Sequence, residues 1–168
     1  MRIESVFCCS KRIAAASSAS IAAVETTSGR PDMQVLDFDK DSDEFAQFTI
    51  AFPKSWNLGT ITYQVFWSGI GSNTAVDWMV DAVAMNDNET IHVAYGTAIV
   101  VTDNAGGDST GELLVSDESA AVTIAGTPAD NDLTYFRIGR DVSEDAMNGD
   151  ARLHGVKIFF TTDAANDA

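Results

Sequence analysis

From residue 33 onward the apolar positions recur every second residue. Phe48, Ile50 and Phe52 alternate with Thr49 and Ala51, and Pro53 closes the run. A period of two places alternate side chains on opposite faces of an extended strand. Ile61, Tyr63, Val65 and Trp67 alternate with Thr62, Gln64 and Phe66, and the aromatic on the second face predicts a strand covered on both sides. Val76, Trp78, Val80, Ala82 and Ala84 alternate with Asp77, Met79, Asp81 and Val83, which predicts acids facing water. Further strands are predicted over 34–39, 91–95, 98–102, 112–116, 121–125, 133–139 and 152–161. In the last, His154, Val156, Ile158 and Phe160 share one face, and Leu153, Lys157 and Phe159 the other.

Gly, Asn, Asp and Pro clusters punctuate these runs at 56–59, 68–73, 86–88, 104–108, 126–132 and 148–150. About eight to ten short strands with such turns predict an all-β fold, an antiparallel β-sandwich of the jelly-roll kind. A strand–helix–strand rhythm is missing, and so is an internal repeat. The expected core comprises Phe52, Tyr63, Val65, Trp67, Trp78, Val80, Phe136, Ile138, Val156 and Ile158.

Residues 1–32 break the pattern. A low-complexity run of Ala and Ser over 14–20 leads into a loop-like stretch ending at Pro31. We read 1–32 as an N-terminal arm, extended or with a short helix over 11–24, then a sandwich domain over 33–162 and a short tail over 163–168. Lys11 and Arg12 interrupt the apolar stretch that a secretory signal requires. The length of 168 residues suits one such domain, and 45% hydrophobic with 21% charged residues is ordinary globular usage. No run approaches the roughly 18–20 apolar residues of a membrane-spanning helix, so no membrane partner is expected.

Charge divides the chain in the same place. Acidic residues outnumber basic ones 25 to 10, for a net charge of −15. Residues 1–30 carry Arg2, Lys11, Arg12 and Arg30 against Glu4 and Glu25, a net +2, so the body carries −17. Nucleic acid is a poor partner for such a body, because phosphate binding needs clustered Lys and Arg. Cys8 and Cys9 are adjacent and cannot staple distant parts of the chain.

Candidate chemistry is sparse. The acids of 37–44 alternate as calcium ligands do, but the helix–loop–helix pattern needs Gly at its sixth position and Glu at its twelfth. Counted from Asp37, those positions hold Ser42 and Phe48. A solvated strand end and turn is the simpler reading, and no metal or other cofactor is expected. His92 and His154 fall inside predicted strands without a recognisable nucleophile motif, and no carboxylate pair singles itself out, so no catalytic residues are assigned. Asn88-Glu89-Thr90 matches a glycosylation tripeptide. Trp67 and Trp78 lie on apolar faces and are expected in the core. Trp56 sits beside a turn and is the candidate for a surface contact.

The order of segments in the body resembles small β-sandwich modules of tailed bacteriophages. The residues that carry the likeness are Val35-Leu36-Asp37-Phe38-Asp39, Phe52-Pro53-Lys54-Ser55-Trp56, Ile61-Thr62-Tyr63-Gln64-Val65-Phe66-Trp67, Val76-Asp77-Trp78, Phe136-Arg137-Ile138-Gly139-Arg140-Asp141 and Ala151-Arg152-Leu153-His154-Gly155-Val156. The resemblance implies a virion structural protein and a homo-oligomer, often a trimer. The chain has no fibrous shaft, which favours a capsid decoration (cement) protein on the exterior of the head, assembled in the host cytoplasm. Its partner would be the major capsid protein, met through Arg2, Lys11, Arg12, Arg30 and Trp56. The alternative is a receptor- or carbohydrate-binding module of a tail fibre, with Trp56, Tyr95 and the loops 69–74 and 104–110 meeting a glycan.

Overall fold

The computed structural model describes residues 2–7, 11–12, 17–70, 74–105 and 111–163, with the backbone alone for 2–7 and 11–12. The described residues form strands and no helix. In chain order these are β1 (Arg2–Phe7), β2 (Lys11–Arg12), β3 (Ser20–Val24), β4 (Met33–Phe38), β5 (Glu44–Ala51), β6 (Thr62–Ile70), β7 (Ala75–Met85), β8 (Ile99–Asn104), β9 (Leu114–Val115), β10 (Leu133–Arg140) and β11 (Asp150–Thr161). Two antiparallel sheets result. The first has the order β3-β4-β11-β6-β9, and the second β2-β5-β10-β7-β8. One edge of β11 pairs with β6; the other pairs with β4 over Ala151–Leu153 and with β1 over Val156–Thr161. The chain is thus an all-β sandwich, as the period-two pattern predicts.

The alternating apolar residues meet between the sheets. Tyr63, Val65, Trp67, Trp78, Val80, Phe136, Ile138, Val156 and Ile158 are all fully buried, and Phe52 packs partly buried against them. Trp78 takes Phe38 edge-on at 5.1 Å, and Phe48 stacks on Phe136 at 5.0 Å. Tyr63 and Trp67 find partners for their polar tips. The Tyr63 hydroxyl lies 2.9 and 2.6 Å from the carbonyls of Trp78 and Ile99, and Trp67 Nε1 donates to Asp103 at 2.7 Å. Arg140 is completely buried, yet its guanidinium is saturated. It pairs with Asp145 and donates to the carbonyls of Gly149 and Met147, so it ties the 141–149 loop to the sandwich.

Several expectations change in the structure. Within 11–24 the described residues hold no helix; 11–12 and 20–24 are strands on β5 and β4, and 2–7 lie on β11. The stretch read as an arm therefore contributes strands to both sheets. The 91–95 run, despite its β-forming side chains, is not a strand, because the ladder it would join is taken. Beyond the end of β8, the edge of β7 is paired by Ala125, through Ala84 N to Ala125 O at 2.8 Å and Ala125 N to Ala82 O at 3.1 Å. Over 121–125 only isolated bridges form. Asp77 and Asp81 are buried rather than facing water; at Asp81 the 91–98 segment folds back over the second sheet, with Tyr95 on the Arg137 that pairs with this acid.

Candidate functional site

The outer face of the first sheet carries a cleft of about 660 Å³. Period-two alternation brings its floor together: Phe66 and Ser68 from β6, Arg152 and His154 from β11, Met33 from β4 and Val24 from β3. Gln34 and Thr26 contribute at one end, Glu112 and Leu113 at the other. The strand β11 would not present these residues with unbroken alternation. A bulge between Leu153 and Gly155 shifts its register against β6, so Leu153 and Val156 both point inward and His154 is left on the outer face. The single-face assignment of His154 with Val156 is corrected accordingly; one inserted residue reverses the side on which all earlier ones lie.

The polar groups of the floor are held in fixed geometry. Arg152 donates Nε and Nη2 to the two oxygens of Asp37, at 2.7 and 2.9 Å. This bidentate bond makes the guanidinium hold its proton more tightly still, and it leaves Nη1 outside the pairing. Ser68 Oγ and His154 Nε2 are hydrogen-bonded at 3.0 Å. Burial, reinforced by the nearby Arg152 charge and opposed by Asp37, pushes the His154 imidazole below its ordinary value, so it is neutral at pH 7. Beside the cleft, hydroxyls replace a ladder partner along β6. Ser116 and Ser119 accept the backbone N–H groups of Val65 and Tyr63, and Gln64 Nε2 donates to the Ser116 carbonyl. Phe66 belongs to this open face, not to a second covered layer, and is the aromatic surface in the cleft floor.

The residues singled out from the sequence do not gather here. Trp56, expected as a surface contact, is 4% exposed, stacked on Phe52 at 4.2 Å; its neighbouring turn folds it inward. Tyr95 is half-buried on the opposite sheet, its hydroxyl bonded by Gln47 and its ring over Arg137 at 4.8 Å. Arg30 lies in the exposed turn after β3, where its N–H donates to the Thr27 carbonyl. The side chains of Arg2, Lys11 and Arg12, together with Cys8, Cys9 and the loop residues 71–73 and 106–110, lie outside the described residues. His92 is exposed in the loop after β7.

The acidic cluster after β4 is occupied internally. Asp37 takes Arg152, Asp39 accepts from Asp41 N, Asp43 accepts from Val142 N, and Glu44 accepts from Asp39 N. Among the described residues no three His, Cys, Asp or Glu side chains converge as a metal site. The cleft residues were individually visible in the sequence, but the bulge that collects them was marked only by Gly155 after a polar residue inside an apolar run.

No protein-family model matches the sequence, and no curated protein matches it. Solved structures do share its fold. A xylan-binding module, CBM15, is 13% identical, with a TM-score of 0.50 over 98% of this chain and 100% of that one. A family 11 carbohydrate-binding module from Clostridium thermocellum, in complex with a beta-1,3-1,4-mixed-linked tetrasaccharide, is 11% identical over 92% of this chain and 94% of its own, with a TM-score of 0.49. An isomalto-dextranase of Arthrobacter globiformis T6, complexed with panose, is 15% identical over 74% of this chain, with a TM-score of 0.49; the chain spans 18% of that enzyme's length. The resemblance to phage virion modules gains no support from these similarities.

Proposed function

We propose that the chain is a carbohydrate-binding module whose ligand lies in the cleft on the outer face of the first sheet. The observation that carries this reading is the make-up of that floor. A sugar ring offers an apolar C–H face and a rim of hydroxyls. Phe66, Met33 and Val24 meet the first, and Ser68, His154, Arg152 and Gln34 meet the second. Full-length likeness in fold to a xylan-binding module makes polysaccharide the ligand class to test first. The same reading makes the chain a binder rather than a hydrolase. Glycoside cleavage uses two carboxylates flanking the bond. Among the described residues lining the cleft Glu112 is the single acid, and Asp37 beneath it is engaged by Arg152.

Affinity electrophoresis of the full chain through gels containing soluble polysaccharides tests this. The expected result is retardation by at least one polysaccharide, and loss of about tenfold or more of that affinity in Phe66→Ala with the circular dichroism unchanged. A folded protein retarded by none of them overturns the reading.

A further inference from the structure

Resting on that carbohydrate reading, we infer that the cleft selects uncharged glycan chains and rejects those bearing carboxylates or sulfates, with Glu112 setting the discrimination. The charges of the lining decide this. Arg152 is the one cation lining the cleft among the described residues, and its charge is cancelled in place by the bidentate Asp37. His154 adds none at neutral pH, because burial and Arg152 disfavour its protonated form. Among the described residues the Glu112 carboxylate therefore remains as the uncompensated charge of the lining, and it sits at the β9 end of the cleft. An incoming anion meets a negative site on a chain whose net charge is −15.

Distance separates the two contributions. At physiological ionic strength the body's field is screened over about 8 Å, so Glu112 dominates there; at low salt the whole body adds to it. The shape of the site points to a chain of sugars and not a single ring. The lining runs across the strands from β3 to the residues just before β9, four inter-strand spacings or about 19 Å. Gln34 on β4, Arg152 on β11 and Ser68 on β6 offer hydrogen-bonding groups along that span, and Phe66 on β6 offers an aromatic face toward its β9 end.

The test measures binding of the full chain to xylan, mixed-linkage β-glucan and dextran as uncharged probes, and to polygalacturonate and heparin as charged ones, at 20 mM and 150 mM salt (roughly twofold different screening lengths or more). The expected result is binding to at least one uncharged chain, with the charged ones weaker by about tenfold or more and weakest at low salt. Glu112→Gln should narrow that ratio several-fold at 150 mM salt. Charged polymers bound as tightly as uncharged ones, or an unchanged ratio in Glu112→Gln, overturn the inference while the glycan site stands. Failure to bind every probe by the folded chain overturns the carbohydrate reading itself, and this inference with it.

Discussion

The two outer faces of the sandwich begin from the same alternation and end differently. On the second sheet, the 91–98 segment folds back. Arg137 lies between the Phe45 and Tyr95 rings, 4.6 and 4.8 Å from their centroids, and forks onto Asp81, whose side chain is 3% exposed. Gln47 closes the cluster through the Tyr95 hydroxyl. These groups bond and stack on one another within the chain. On the first sheet the same kind of material stays open. Leu113, at the cleft's edge, is 60% exposed, and Val115 on the adjoining β9 is 47% exposed. One face is invested in stability; the other is left with polar and apolar groups that an outside ligand can complete. Substitutions on the covered face should therefore cost stability, and those on the open face should cost binding.

The largest effect is expected where the cover is pinned. Gly126 has φ of +84°, and a Cβ there would stand 2.2 Å from the carbonyl oxygen of Ala84, whose N–H donates to Ala125 in this same segment. Gly126→Ala combines a strained backbone with a clash that no side chain can relieve, and should destabilise by about 3 kcal/mol or more. The midpoint of denaturant unfolding measures it. A change below about 1 kcal/mol would mean that the segment 121–126 is not fixed to β7 as described.

Arg137→Ala comes next. It leaves the Asp81 carboxylate buried without its partner, which costs about 3–5 kcal/mol for fully buried pairs. Arg137 is itself 33% exposed, so water reaches the gap and about 2 kcal/mol is the discounted expectation. Arg137→Lys keeps the charge but loses the fork and the ring stacking, and should fall between. Equal losses from Arg137→Ala and from a cleft substitution would erase the distinction between the faces.

The sequence made the layered fold legible because burial repeats: each of β4, β6, β7, β10 and β11 carries its apolar residues at the period of two, and the sandwich follows. It hid the site because the site depends on a departure from that period. The bulge at Leu153–Gly155 moves His154 to the outer face, and nothing in a two-residue alternation announces a one-residue insertion. On the other sheet, the cover over Asp81 is a long-range return of 91–98, so an acid that reads as solvent-facing is buried. Trp56 misled for the same reason: adjacency to a turn says nothing of which way the turn folds.

Phe66→Ala sharpens the comparison from the open side. Phe66 is half-buried in the floor of the cleft and lies outside the core cluster. Truncation removes part of an aromatic surface that is already solvated, so the expected loss of stability is about 1 kcal/mol or less, smaller than for Arg137→Ala. The same variant abolishes glycan binding if the open face is the site. Thermal unfolding and affinity electrophoresis on one sample read both quantities, and a large stability loss would move Phe66 into the structural category instead.

The smallest effect belongs to pH. The groups facing His154 are Ser68 from β6, which bonds its Nε2, Arg152 two residues earlier on β11, and Asp37 from β4; Glu112 faces the same cleft. Burial and Arg152 outweigh Asp37, so the folded protein binds a proton at His154 less readily than the unfolded chain does. Below the ordinary imidazole value of about 6.5 the unfolded chain holds more protons, and stability falls as the pH drops, until the folded imidazole is protonated too. Protonation also sets a second cation beside Arg152 and takes away the Nε2 lone pair, so the Ser68 contact changes character in the cleft itself. The expected outcome is a small decline in the unfolding midpoint as the pH falls below about 6.5 that is absent in His154→Gln. Arg137→Ala should show the decline undiminished, because its cluster lies on the other sheet; a decline lost in Arg137→Ala and kept in His154→Gln would place the titrating group on the covered face.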